Sequence, residues 1–94
     1  MNDIIDYRPY MENEYKVYVD VIALIDTEGN IRPMSFTWED GQNYDIDKIV
    51  DKRPAASLKA GGAGIRYTVR VQNRQTYMYL EESKDVKKWF MERK

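Results

Sequence analysis

Residues 53–80 read RPAASLKAGGAGIRYTVRVQNRQTYMYL, and this stretch contains the clearest fold signal in the chain. Over residues 65–71 apolar and polar residues alternate, with β-branched and aromatic side chains at the apolar positions. Alternation with a period of two is typical of a β-strand that buries one face. Residues 75–80 alternate in the same way, so the stretch predicts a β-hairpin.

The turn of this hairpin is expected at Asn73-Arg74, because asparagine tolerates left-handed backbone angles. A loop of two or four residues then places Val69 opposite Met78. A loop of three residues would instead move every side chain of the return strand to the other face of the sheet. The even loop lengths are preferred because they bury the apolar residues.

The preferred register divides the hairpin into a core face and an outer face. Met78 and Leu80 join the core. Four side chains share the outer face, and they pair a basic group with an aromatic one across the strands: Arg66, Arg70, Tyr77 and Tyr79. Arginine and tyrosine in this arrangement are suited to phosphates and bases, although they also pack together on ordinary solvated sheets.

The length of 94 residues and the hydrophobic fraction of 43% indicate one small domain with a modest core. No apolar run approaches 18 residues, so no membrane span is expected. The N-terminal segment is acidic and lacks the positive start of a signal peptide, which favours the cytoplasm. Residues 1–14 show no clear period and are expected to be loosely ordered.

The chain contains neither cysteine nor histidine. Ser-His and Cys-His catalysis and the usual zinc sites are therefore excluded. The aspartates and glutamates do not follow the spacing of an EF-hand loop. We expect no enzyme activity, no cofactor and no metal.

Charge is distributed unevenly along the chain. Residues 1–47 carry three basic and eleven acidic side chains, residues 48–74 seven basic and one acidic, and residues 75–94 five basic and four acidic. Such asymmetry can mark a surface for nucleic acid or another acidic partner. The alternative is that the charges pair across the folded sheet, where each pair contributes little.

Three further strands are predicted before the hairpin, at residues 15–25, 31–39 and 44–50. The turn after the first strand contains Gly29, and the turn after the second contains Asp40-Gly41, a strong hairpin signal. Alternate positions of these strands are expected to face inward: Val17, Val19, Val21, Ala23, Ile25, Met34, Phe36, Trp38, Tyr44 and Ile46. Pro33 cannot donate a ladder hydrogen bond and belongs at an edge or a bulge.

The C-terminal residues 83–94 fit two structures. Ser83 is able to cap a short helix with Val86, Trp89 and Phe90 on one stripe. A last strand at residues 88–92 would instead place Trp89 and Met91 on one face. The strand is favoured.

Four segments together resemble a family of short bacterial proteins: WEDG at residues 38–41, RPAASLKAGGAGIRYTVRV at 53–71, TYMYLEE at 76–82 and KWFMER at 88–93. The resemblance covers roughly residues 15–92. The family has no assigned activity, so it implies no functional residues. It favours a short terminal strand, although the segment SKDVK before Trp89 departs from its pattern.

The glycine-rich loop at residues 61–64 lies between Lys59 and Arg66. Backbone amides in such a loop can cradle a phosphate. A P-loop or dinucleotide motif, however, needs a helix after the loop, and here a strand follows. A connection whose glycines permit unusual backbone angles explains the loop equally well.

The sequence therefore predicts an all-β fold, a small antiparallel barrel or strongly bent sheet of five or six strands, with a short C-terminal helix as the variant. Its predicted function is a non-catalytic module that binds RNA or single-stranded nucleic acid. The predicted site comprises Arg53, Lys59, Arg66, Arg70, Tyr77 and Tyr79. The alternative function is a protein-interaction or homo-oligomeric assembly module that uses a tyrosine-rich sheet face or a strand edge.

Overall fold

The computed structural model describes residues 16–55, 63–83 and 85–93. Every regular element in these ranges is a strand: β1 (Lys16–Ile25), β2 (Ile31–Thr37), β3 (Asn43–Asp45), β4 (Lys48–Ala55), β5 (Ala63–Val71), β6 (Arg74–Ser83) and β7 (Val86–Glu92). The all-β prediction is confirmed. The expectations for residues 1–14 and for the glycine-rich loop, including Lys59, lie largely outside the described residues.

The seven strands form one antiparallel sheet in the order β3-β2-β1-β7-β6-β5-β4. Two meanders, β1 to β3 and β4 to β7, are joined where the first and last strands pair. The predicted strand count of five or six is too low, because the single strand expected at residues 44–50 is divided into β3 and β4. The three-residue β3 and the eight-residue β4 lie at opposite ends of the sheet order.

The break between β3 and β4 curls the sheet into a half-barrel. The backbone N–H of Ile46 donates to the carbonyl of Met34 on β2, and the N–H of Asp47 donates to the carbonyl of Arg70 on β5, both at 2.9 Å. Because β2 and β5 lie near opposite ends of the sheet, two neighbouring residues bring those ends together. This division satisfies backbone donors that would otherwise lie on open edges.

The β5–β6 hairpin turns at Gln72-Asn73, one residue earlier than predicted. Both residues have positive φ, 50° and 67°, as a two-residue type I′ turn requires. Tyr67 therefore lies opposite Met78, and the predicted pairing of Val69 with Met78 is wrong by two residues. A shift of two residues leaves every side chain on its predicted face.

The core lies on the concave face of the sheet, and its buried hydrophobic residues come from five of the seven strands: Val17, Val19, Phe36, Tyr67, Val69, Val71, Met78, Leu80 and Met91. Met78 and Leu80 are 0% and 1% exposed, so the predicted core face of the hairpin is confirmed. The Tyr67 side chain crosses the interior, and its hydroxyl donates to the carbonyl of Ile31 at 2.6 Å. Trp38 is partly buried against this core.

Pro33 lies at a β-bulge, as predicted. Ala23 pairs with Pro33 while the preceding Ile22 pairs with Ser35, so β2 has one extra residue, Met34. The bulge reverses the alternation, which buries Pro33 and leaves Met34 44% exposed. The expectation that Met34 faces inward is therefore wrong.

The second half of β1 also departs from the prediction. Val17 and Val19 are buried as expected, but Ala23 and Ile25 are exposed. Beyond Val21 the strand extends past the part of the sheet that the core covers. Position on an inward-facing register thus does not guarantee burial.

The C-terminal segment is a strand, and no helix forms in its described residues. Strand β7 pairs with both β6 and β1, and it places Met91 in the core with Trp89 packed against it. The favoured alternative is confirmed, with a strand that begins two residues earlier than predicted. No helix in the described ranges has the length and apolar character of a membrane span.

Candidate nucleic-acid interface

The outer, convex face of the β5–β6 hairpin brings together most of the residues singled out from the sequence. Arg66 lies directly opposite Tyr79, and the Arg66 guanidinium carbon lies 4.5 Å from the centroid of the Tyr77 ring. Arg70 is exposed four residues along the same strand. The predicted sharing of one face by these arginines and tyrosines is confirmed.

Pairs of like charge flank this face on β4 and β5. Lys48 lies opposite Arg70, and Arg53 lies opposite Arg66. Directly opposed like charges destabilise an antiparallel ladder. The two pairs are separated by about 13 Å along the strands, from the rise of 3.3 Å per residue over four residues.

One carboxylate lies between these two pairs. Asp51 is opposite Thr68, and its Oδ2 accepts from Nε of Arg53 at 2.7 Å. This hydrogen bond is the main reason that the pKa of Asp51 is lowered, and Arg66 lowers it further. One acid beside Arg53, Arg66, Lys48 and Arg70 leaves this part of the outer face basic.

Arg66 occupies the centre of the outer face and is only partly exposed. Its Nε atom is buried and has no hydrogen-bond partner among the described residues. A buried donor without a partner carries a desolvation cost of about 1–3 kcal/mol. The guanidinium is held over Tyr77 by packing and cation–π attraction instead.

The four cations Lys48, Arg53, Arg66 and Arg70 form a basic strip on β4 and β5. A row of aromatic rings on the next three strands borders this strip. Tyr79 stacks on Phe90 with ring centroids 4.8 Å apart and an interplanar angle of 7°. Phe90 meets Tyr18 edge-on at 5.9 Å, and Tyr77 meets Tyr79 edge-on at 6.5 Å. The four rings form one continuous cluster, which we call the aromatic row.

The members of the aromatic row differ in how much ring they offer to a ligand. Lys16 lies 4.4 Å from the centroid of Phe90, and Phe90 itself covers one face of Tyr79. Burial raises the pKa of Tyr79, and the neighbouring Glu92 raises it further. Tyr77 is 42% exposed, so it presents more open surface than Tyr79 does.

The structure therefore places five of the six predicted site residues on one outer face: Arg53, Arg66, Arg70, Tyr77 and Tyr79. The sixth, Lys59, lies outside the described residues. Sequence reasoning missed Lys48, Tyr18 and Phe90. The alternation of β1 placed Tyr18 on its polar face, but nothing local indicated that β1 would pair with β7.

Within the described residues, no three acidic side chains converge as a metal site would require. Comparison with protein-family models, with curated proteins and with solved structures gives no match to this chain. The resemblance of the WEDG and RPAASLKAGG segments to a family of short bacterial proteins thus stays an expectation.

Proposed function

We propose that this chain is a non-catalytic module that binds single-stranded nucleic acid, most naturally RNA, through the outer face of β4, β5 and β6. The observation that carries the proposal is the pair of opposed cation pairs, Lys48 with Arg70 and Arg53 with Arg66, beside the aromatic row. The two cations of each pair repel each other, and Asp51 offsets part of that repulsion only in the Arg53–Arg66 pair. An anionic ligand would relieve that repulsion.

The spacing of the cation pairs favours an extended ligand. A separation of about 13 Å along the strands exceeds the size of a single phosphate group. A chain of phosphates lying along β5 would contact both pairs in turn. Counterion release from such a chain supplies most of the affinity in non-specific nucleic-acid binding.

The aromatic row favours a ligand with unpaired bases. Tyr77 presents open ring surface, and the Arg66 guanidinium stacked on it offers a second planar surface. Unpaired bases stack on tyrosine rings and on guanidinium planes, whereas bases in a duplex are already stacked on each other. Tyr79, which is stacked on Phe90, borders this surface and meets Tyr77 edge-on.

Fluorescence anisotropy with a labelled single-stranded oligonucleotide across a salt series tests the proposal. The affinity of the unmutated protein should fall steeply with salt, because several phosphates are neutralised. Arg66→Glu combined with Arg70→Glu should abolish binding while the melt shows a folded protein. Absence of binding at low salt, or binding that survives this double reversal, would overturn the proposal.

A matched pair of substitutions tests whether the salt dependence of binding comes from the proposed face or from the net charge of the protein. Arg70→Gln removes one charge on the outer face and should lower the salt slope by about 0.7, the value for one phosphate contact on a single strand. Lys87→Gln removes one charge from the opposite face, where Lys87 pairs with Glu82 at 2.6 Å. That control should leave the slope unchanged.

Comparison of an oligonucleotide with inorganic polyphosphate separates contacts to bases from contacts to phosphates. Tyr77→Ala should weaken binding of the oligonucleotide by about 1–3 kcal/mol if a base stacks there. The same substitution should not change the affinity for inorganic polyphosphate, which has no bases. An equal loss for both ligands would assign Tyr77 the role of holding Arg66 in place.

A further inference from the structure

The end of the β1–β2 hairpin exposes a concentration of apolar side chains. On β1, Ile22 is 71% exposed, Leu24 47% and Ile25 64%, and on β2 the bulge residue Met34 is 44% exposed. Isolated exposed apolar residues are ordinary on protein surfaces, but several at one end of a single hairpin indicate an interaction surface. The sequence of β1 at this end, VIALI, is apolar on both faces, as in strands covered on both sides.

The same part of β1 has a backbone edge without a partner among the described residues. The ladder between β1 and β7 ends at the pair Val19–Trp89. From Asp20 to the end of the strand, the described partner of β1 is β2 alone. A cleft of about 460 Å³ opens where β1 and β7 separate, so a further strand has room to approach this edge.

Charges of opposite sign flank the apolar residues. Asp20 precedes Ile22 on the outer face of β1, and Arg32 lies opposite Leu24 on β2. Asp20 makes no ion pair with any described residue, whereas Arg32 lies close enough to Asp26 to contribute to that group's electrostatics. A surface with an apolar centre and opposite charges at its two ends is complementary to itself under a two-fold rotation.

We propose that a second copy of this chain binds here, with the two β1 strands pairing antiparallel about a two-fold axis. Centred on Ile22, the pairing sets Ile22 against its counterpart and Asp20 against the other copy's Leu24. The other copy's Arg32 is then the next residue across, within reach of Asp20 on the same face. Two such Asp20–Arg32 contacts form, one on each side of the axis.

A second copy fits this surface better than a nucleic acid does, because the apolar side chains at its centre have no charge or hydrogen-bond donor for a phosphate. Antiparallel addition of a strand satisfies the exposed N–H and C=O groups of β1 and buries Ile22 and Leu24 together. The proposal does not depend on nucleic-acid binding, because the basic strip on β4 and β5 and this surface share no residue.

Sedimentation velocity of the full chain over a range of concentrations, without nucleic acid, tests the dimer. The unmutated protein should shift from monomer to dimer as concentration rises. Ile22→Lys should weaken the association by more than about thirty-fold, as for a central interface residue. Val50→Lys makes the same change at a residue of β4 that is 46% exposed and should leave the association unchanged.

A charge exchange tests the geometry of the pairing. Asp20→Arg and Arg32→Glu should each weaken the dimer by about tenfold, because each places like charges together. The two substitutions in one chain should restore it, since the contact is then reversed in sign. A melt of each variant verifies that the fold is retained.

Three results would overturn the proposal. The chain could stay monomeric at several hundred micromolar, Ile22→Lys could match Val50→Lys, or the exchanged pair could fail to restore association. A heteromeric partner or the chain's own N-terminal residues would then be the better occupant. Arg66→Glu with Arg70→Glu, which should abolish nucleic-acid binding, should leave the dimer intact, so failure of one proposal is distinguishable from failure of the other.

Discussion

The inner face of the β5–β6 hairpin and the end of the β1–β2 hairpin are built from similar apolar residues, but the first is buried and the second is exposed to solvent. Val69 and Met78 are fully buried, whereas Ile22 and Ile25 are 71% and 64% exposed. Both hairpins have tight turns and antiparallel ladders. The residue types therefore do not explain the difference.

The neighbours of each hairpin do explain it. The β5–β6 hairpin has β4 on one side and β7 on the other, so its concave face lies in the middle of the curled sheet. The end of β1 has β2 on one side and, among the described residues, no strand on the other. Burial is thus set by which strands lie alongside, and the end of β1, with one neighbouring strand among the described residues, remains exposed.

The largest expected effect comes from shortening one aliphatic side chain in each region. Leu80→Ala should reduce the free energy of unfolding by about 2–5 kcal/mol, because it creates a cavity in a packed core. Ile22→Ala should change it by less than about 0.5 kcal/mol, because the side chain is in solvent. Chemical denaturation followed by tryptophan fluorescence, at a concentration where the chain is monomeric, measures both. Equal losses would contradict the assignment of core and surface.

A smaller contrast concerns two tyrosine hydroxyls. The Tyr67 hydroxyl donates to the Ile31 carbonyl inside the half-barrel, and the Tyr18 hydroxyl donates to Glu81 on the outer face. Tyr67→Phe leaves the partly buried Ile31 carbonyl without this donor and should reduce the free energy of unfolding by about 0.5–1.5 kcal/mol. Tyr18→Phe should change it by less than about 0.5 kcal/mol, because water replaces the exposed partner.

Alkaline pH gives the Tyr67 comparison an independent measurement. Burial raises the pKa of Tyr67, and Glu82 adds to the shift. A raised pKa means that the folded state holds the proton more tightly. The resulting stability is present below the unfolded value of about 10 and is lost as pH rises through the folded pKa. The melting temperature of Tyr67→Phe should therefore fall less steeply above pH 10 than that of the unmutated chain.

The β5–β6 hairpin was predictable because its signal is local. Alternation within residues 65–80 fixes which side chains share a face, and that prediction survives a register error of two residues. The register itself depends on which residues accept positive φ. Gln72 has positive φ here, and its N–H donates to Asp47 Oδ2 at 3.0 Å, a contact 25 residues away in the chain.

The errors in the predicted fold arise from features that no local sequence pattern encodes. The bulge at Pro33 reverses the faces of β2, so Met34 is exposed against its alternation. The division of residues 44–50 follows from hydrogen bonds that Ile46 and Asp47 make to two distant strands. The antiparallel pairing of β1 with β7 joins the two ends of the chain and is equally invisible to periodicity.

The candidate site shows the same limit. The face shared by Arg66 and Tyr77 was predicted from one hairpin, whereas the contribution of Lys48 requires the pairing of β4 with β5. Phe90 and Tyr18 join the site only because β7 lies between β6 and β1. A single strand pair therefore predicted the centre of the candidate site, and the non-local sheet order determined its borders.

A further test compares the coupling energy of two stacked rings on the outer face with that of two exposed side chains at the end of the β1–β2 hairpin. Tyr79 and Phe90 are stacked on adjacent strands, so their contributions to stability should be coupled. A double-mutant cycle with Tyr79→Ala and Phe90→Ala should give a coupling energy of about 0.5–1.5 kcal/mol. The corresponding cycle for Ile22 and Met34, both exposed, should give a coupling near zero in the monomer. Coupling of similar size in both pairs would mean that the apolar end is packed rather than open.

The smallest expected effect is the acid response of the turn that closes the β1–β2 hairpin. Backbone N–H groups of Asn30 and Glu28 donate to the Asp26 carboxylate at 2.9 Å and lower its pKa. A lowered pKa means that the folded state favours the charged form. The stabilisation is therefore present above the unfolded value of about 3.9 and is lost as pH falls through the folded pKa. Asp26 is partly exposed, so water moderates the loss.

Hydrogen exchange followed residue by residue measures that response where it arises. Between pH 4.5 and 2.5, after correction for intrinsic exchange rates, protection of the Gly29 amide should fall before that of the amides of β5 and β6. Asp26→Asn retains a side-chain acceptor but does not titrate, so the protection of its Gly29 amide should be nearly independent of pH in this window. A turn that opens in acid while the central hairpin stays closed fits a hairpin end that has only one neighbouring strand in the described part of the chain. Simultaneous loss of protection in both regions would instead mean that the end of β1 is part of the cooperative core.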